Sequence, residues 1–264
     1  MTFSAPELGL GEVLRTARGF GYDGVELRLD AGHKHGVEVG LDPAGRRAVR
    51  EKAADGGVDL CCLATSCRFA DPETVPLNVS DALERIALAG DLGVPRMRVF
   101  GGAIPDGMGR AEAVEGVAQC LRLLADAAAA HGVVVCMETH DDWCDPEHVA
   151  EVLARVDHPA VAANWDVMHP VRAAGATVES AFQTLRPWIR HLHVHDGTLP
   201  EGALRPMGEG GIDHRRIIEL LLEEGYGGYL SGEWIGWEPW EVHLPRELVR
   251  LKQYEAQSGE HENA

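Results

Sequence analysis

Four stretches of this chain end in side chains that can bind a metal ion or move a proton. Val133–His140 closes on Glu138-Thr139-His140, and Val161–Val167 leads into Asp166-Val167-Met168-His169. Arg190–Asp196 carries His191, His193 and His195, and Gly228–Trp234 closes on Gly232-Glu233-Trp234. Taken singly, a carboxylate at a strand end is more often a helix cap or a solvated charge, because acids are seldom buried without a partner. Together, three carboxylates at one rim repel one another and raise their own pKa values unless a cation or several donors compensate them. A divalent ion does this directly. Glu138, Asp166, His193 and Glu233 offer oxygen ligands and one imidazole, a set suited to Mn²⁺, Mg²⁺, Co²⁺ or Zn²⁺ rather than to a soft metal.

The histidine triplet sorts by geometry. Alternate spacing puts His191, His193 and His195 on one side of their strand, neighbours about 6.6 Å apart along it, too far for all three to share one ion. His191 is expected deeper, His193 at the height of the carboxylates, and His195 above it, facing substrate.

The elements that must position these residues alternate. Candidate strands are Gly24–Arg28, Val58–Ala64, Arg96–Gly101, Val133–His140, Val161–Val167, Arg190–Asp196 and Gly228–Trp234, with a short first strand near Thr2–Ala5. Helical periodicity fills Pro6–Phe20, Leu41–Gly56, Val79–Gly93, Arg110–Ala130, Pro146–Val156, Val178–Trp188, Asp213–Glu224 and Glu238–Gln257. In the 213–224 segment, Asp213 is a fitting N-cap and Gly225 can take the left-handed residue that closes the helix. Eight strand–helix units over 264 residues predict one domain spanning residues 1–264, an α/β fold closed as a (β/α)8 TIM barrel, with a loose tail over 258–264. In such a barrel the C-terminal strand ends form the active site, which is where these side chains fall. An open doubly wound sheet competes, but no G-x-G-x-x-G follows a first strand.

Composition narrows the partners. Twenty-four basic against 42 acidic residues give a net charge of −18, which disfavours nucleic acid and anionic membrane surfaces. The N-terminal segment lacks a basic-then-apolar leader, no apolar run is long enough to span a bilayer, and the six cysteines form no CxxC pair. A reduced, cytoplasmic protein is the expectation, and a homo-oligomer is compatible with it.

The segments GYDGVELR (21–28), VVVCMETHDD (133–142), NWDVMH (164–169), RHLHVHD (190–196), GEGGID (208–213) and GYGGYLSGEW (225–234) resemble the xylose isomerase-like barrels, in particular the sugar phosphate isomerase/epimerase branch. The resemblance implies one divalent metal, Mn²⁺ foremost, on Glu138, Asp166, His193 and Glu233. It makes Glu138 and Glu233 the catalytic pair that shuttles a proton, and His169 a contact to a substrate oxygen. His140, Arg68 and His195 are further candidates for polar substrate contacts. The branch often has Lys where this chain has His195 before Asp196.

The implied chemistry is loss of an α-proton from a small sugar or polyol ketone whose oxygens are held by the metal, leaving a stabilised ene-diolate. Two glutamates on opposite faces give epimerisation, and one acting on neighbouring carbons gives isomerisation. Expulsion of a β-hydroxyl would make the enzyme an inosose-type dehydratase. An endonuclease IV-like DNA repair enzyme, which shares the barrel, is remote. It needs extra histidines and an Asp-Arg-His signature that this chain lacks, and a polyanionic substrate. Four ligand candidates speak against a non-catalytic binding barrel. Tryptophans 143, 165, 234, 237 and 240 near the strand ends could stack on a sugar or simply pack. The Gly208–Gly211 loop could hold a phosphate, but Glu209 and the lack of a P-loop lysine favour a turn.

Overall fold

Short runs rich in Val, Leu, Ala and Cys form the strands, and their ends set the height of every side chain discussed below. A computed structural model describes the backbone of residues 1–261 and the side chains of residues 1–258. The strands are β1 (Gly24–Arg28), β2 (Asp59–Arg68), β3 (Arg96–Phe100), β4 (Val134–Glu138), β5 (Val161–Asp166), β6 (Ile189–Val194), β7 (Asp196–Gly197), β8 (Leu204–Arg205) and β9 (Leu230–Gly232). Seven pair in parallel in the order β1-β2-β3-β4-β5-β6-β9, while β7 and β8 make a small antiparallel hairpin above the sheet. The helices are α1 (Leu10–Phe20), α2 (Pro43–Gly56), α3 (Val75–Leu92), α4 (Arg110–Ala130), α5 (Pro146–Val156), α6 (His169–Ala174), α7 (Val178–Leu185), α8 (His214–Glu223) and α9 (Trp240–His261). This is a nearly closed TIM barrel.

Local chemistry explains the boundaries. Asp42, Asp145, Thr177 and Asp213 each accept a first-turn amide with the side chain, capping α2, α5, α7 and α8. In α8 the periodic Ile217, Leu220 and Leu221 are buried, and Gly225 follows at φ 69°. The six-residue α6 was not anticipated, because Pro170 and the nearby Gly175 hide so short a helix from a periodicity reading.

The expected strand at Thr2–Ala5 is instead a 3-10 turn, Thr2–Ser4. Pro6 has no N–H to continue a ladder, so pairing cannot extend past Ala5. The turn still bridges the seam between β9 and β1. The Met1 amino group donates to Gly232 O at 3.0 Å, and the Arg28 amide donates to Thr2 Oγ1 at 2.9 Å. Of the expected tail at 258–264, residues 258–261 continue α9, and 262–264 lie outside the described residues. Among the described residues no helix is long and apolar enough to cross a membrane.

Candidate active site

The register of the sheet staggers the four ligand candidates along their strands, and their side chains close the difference. Glu138 is the last residue of β4, opposite Asn164; Asp166, the last of β5, lies opposite His193 of β6. His193 lies opposite Ser231 of β9, and Glu233 follows that strand directly. All four are buried, and each offers a ligand atom within 4.8 Å of the other three.

His193 is the hub. Its Nδ1 is 3.0 Å from Glu138 Oε1 and 3.4 Å from Glu233 Oε2, while its Nε2 is 3.1 Å from Glu26 Oε1. Glu138 Oε2 sits 3.0 Å from Arg98 Nε, and the Arg98 guanidinium also donates to Thr65 O and lies 4.0 Å over the Phe100 ring. Asp166 divides its oxygens: Oδ1 accepts the Met168 and His169 amides at 2.9 Å, and Oδ2 lies 2.8 Å from His195 Nε2 and 3.8 Å from His169 Nε2.

Neither Glu138 Oε2 nor Asp166 Oδ2 has a partner aligned as a hydrogen bond, although both atoms are fully buried. Buried carboxylate oxygens without aligned donors are costly unless something else takes up their lone pairs. Three carboxylates and one imidazole nitrogen converging in this way fit a hard divalent cation.

Charge in the cluster is tightly linked. Burial opposes protonation of His193, yet Glu26, Glu138 and Glu233 hold its imidazole well above the ordinary histidine range. Burial likewise opposes ionisation of Glu233, but His193, with smaller help from Arg98 and His195, draws its carboxyl down to about 2. His195 and His169 keep Asp166 far below the usual carboxylate range against the same penalty, and His195 is raised in return, chiefly by Asp166.

The rim residues separate into two groups. His169 and His195 approach each other at 5.7 Å between ring centroids over Asp166, and His140 meets His169 edge to face at 4.7 Å and lies tilted against Phe100 at 4.8 Å. His140 Nδ1 pairs with Asp141 at 2.8 Å. Arg68, exposed at the end of β2, is not joined to the His193 cluster; with His140 and His169 it helps keep the Asp141 carboxyl low. Trp143, Trp165 and Trp234 are fully buried packing residues, so a sugar-stacking role is not available to them. The Gly208–Gly211 loop is a turn organised by Asp196, whose Oδ2 accepts the Gly208 and Gly210 amides at 2.8 and 3.1 Å. Those amides are occupied from within the protein.

Two members of the cluster were not singled out from sequence, Glu26 and Arg98. Each is a charged residue within an apolar strand, 1% exposed, and that pattern was the available signal.

The chain is 27% identical over 135 residues to 3-dehydroshikimate dehydratase of Bacillus anthracis, a match covering 44% of this chain and 47% of that protein. The matches span about half the length of the first curated relatives. In structure it superposes on the probable 3-DHS dehydratase from Bacillus anthracis with a TM-score of 0.80 at 21% identity, over 95% of this chain and 97% of that one. L-ribulose 3-epimerase superposes with a TM-score of 0.80 at 17% identity, over 99% and 95%. These superpositions establish a shared fold. The profile of the xylose isomerase-like TIM barrel family matches residues 14–254, and the chain belongs to that family.

Proposed function

We propose that the protein is a divalent-metal-dependent isomerase or epimerase of a small carbohydrate or polyol ketone. The observation that carries this reading is the convergence of Glu138 and Glu233, from separate strands of the barrel, on the same nitrogen of His193. Glu138, Asp166, His193 and Glu233 would hold the ion, Mn²⁺ foremost with Mg²⁺, Co²⁺ or Zn²⁺ as alternatives. When bound, such an ion polarises a ketone carbonyl and stabilises the ene-diolate left by loss of the α-proton.

The chain's own residues handle the proton. Glu233, kept ionised at neutral pH by His193, would accept the substrate α-proton at a carboxylate oxygen. Glu138, carrying a proton taken from solvent, would deliver it from another direction, which inverts the carbon and leaves Glu233 protonated until solvent exchange resets the pair. Return by Glu233 to the neighbouring carbon isomerises the sugar instead. His169 and His195, together over Asp166, would donate hydrogen bonds to substrate oxygens; His140 and Arg68 would act further out.

A dehydratase reading stands beside this one, favoured by the similarity to 3-dehydroshikimate dehydratase. Here the same α-proton loss is followed by departure of a β-hydroxyl, with a rim imidazole supplying its proton. Incubating polyol ketones in D₂O with Mn²⁺ separates the two. Solvent deuterium at the α-carbon without loss of water is the expected result, and an absorbing enone product supports the dehydratase. Protein that binds no divalent ion and exchanges no α-proton would overturn both.

A further inference from the structure

Behind the four ligand candidates the barrel holds a second, fully buried ionic group. Glu26 of β1 reaches across the interior to β6, its Oε1 lying 3.1 Å from His193 Nε2 and its Oε2 2.9 Å from His191 Nε2. β1 and β6 are not neighbours in the sheet, so the contact is made through the middle of the barrel and not along a ladder. All three side chains are 0% exposed. A carboxylate placed there without partners would cost several kcal/mol, so its cost is tolerated only with donors aimed at it. Both donors come from one strand, and the two imidazole rings stand nearly perpendicular, at 82°.

An ionised carboxylate can only accept hydrogen bonds. Both contacts therefore require Nε2–H, on His193 and on His191. With Nε2–H committed to Glu26, Nδ1, which faces Glu138 and Glu233, is the nitrogen whose proton an incoming ion would displace. We propose that Glu26 is the positioning residue of the site: it fixes the His193 tautomer and ring orientation so that Nδ1 presents to the metal, with His191 anchoring its second oxygen. The inference rests on reading Glu138, Asp166, His193 and Glu233 as a metal site. Outer carboxylate partners of ligating histidines tune affinity as well as geometry, and their removal commonly costs 10–100-fold in metal binding or activity.

The test uses the full chain and Mn²⁺ or Mg²⁺ alone. Glu26→Leu, similar in size but unable to accept, is expected to weaken Mn²⁺ binding by about 10–100-fold while keeping one ion per chain. Glu26→Gln, whose carbonyl oxygen can still accept from Nε2–H, should recover part of that loss; a purely packing role predicts equal effects or none. Long-range ¹⁵N NMR supplies the second readout: in the Mg²⁺-loaded wild type His193 should carry its proton on Nε2. A proton on Nδ1, or Mn²⁺ affinity unchanged in Glu26→Leu, would overturn the proposal. If Glu26→Leu does not fold, the wild-type spectrum and the Glu26→Gln affinity decide it. Wild type that binds no ion overturns the metal reading. The Glu26 assignment is then judged on the metal-free spectrum, where a proton on Nε2 supports it and its absence overturns it.

Discussion

Two aspartates close to strand ends at the same rim, both 0% exposed, have opposite fates. Asp196 has each oxygen saturated by backbone amides: Gly197 and Ile212 donate to Oδ1, and Gly208 and Gly210 to Oδ2. Asp166 receives two amides on Oδ1 alone, and its Oδ2 keeps its lone pairs, facing His195 and His169. Burial and residue type are identical. What separates a structural carboxylate from a chemical one is how many of its lone pairs the backbone has already taken.

The largest effect should come from the open side of that contrast. Glu233→Gln removes the proton acceptor and should lower α-proton exchange by roughly 10³-fold, read by NMR in D₂O. Full exchange in this variant would break the division between the two regions. Asp166→Asn should abolish tight Mn²⁺ binding while leaving the fold nearly intact, because an asparagine Oδ1 still accepts the two amides; calorimetry and a melting curve read both. Asp196→Asn should do the reverse, turning an NH₂ toward backbone N–H donors. A destabilisation of about 2–3 kcal/mol is expected in denaturant unfolding, with the metal site of the remaining folded protein unchanged.

Acid supplies a milder test. The surrounding carboxylates raise the His193 pKa, so in the absence of metal its proton persists to higher pH than in an ordinary histidine. An incoming ion must displace that proton. Mn²⁺ affinity should therefore rise with pH until His193 deprotonates by itself, by up to about tenfold per unit where one proton is released. Titration calorimetry in buffers of different ionisation enthalpy counts that proton, and pH-independent affinity would contradict the hub role of His193. The smallest effect belongs to the surface. Arg155 pairs with Glu115 at 2.8 Å and Glu151 at 2.7 Å on exposed helix faces, and Arg155→Ala should leave melting and activity within error, because such pairs are screened and mobile.

Much of this arrangement was legible before any coordinates. Helices α4 and α5 begin and end where periodicity places them. The ordering of His191, His193 and His195 from deep to shallow follows from alternate spacing, and their partners Glu26, Glu138 and Asp166 reflect it. The 3-10 turn at Thr2–Ser4 was less legible, because three residues carry too little pattern to separate a strand from a turn. The saturation of Asp196 depends on a loop folding back from twelve to sixteen residues further on, so its sequence neighbours do not reveal it.

Sequence by itself determined the strand–helix alternation, the chemical type of the donors and the strand end that carries each one, because these follow from local periodicity and residue chemistry. Tertiary structure alone decided which lone pairs remain free, which nitrogen of His193 faces the carboxylates, and that Glu26 and Arg98 join the cluster. Those outcomes depend on closing the barrel. Glu26 and His193 are separated by 167 residues, and only the curvature of the sheet brings them within 3.1 Å.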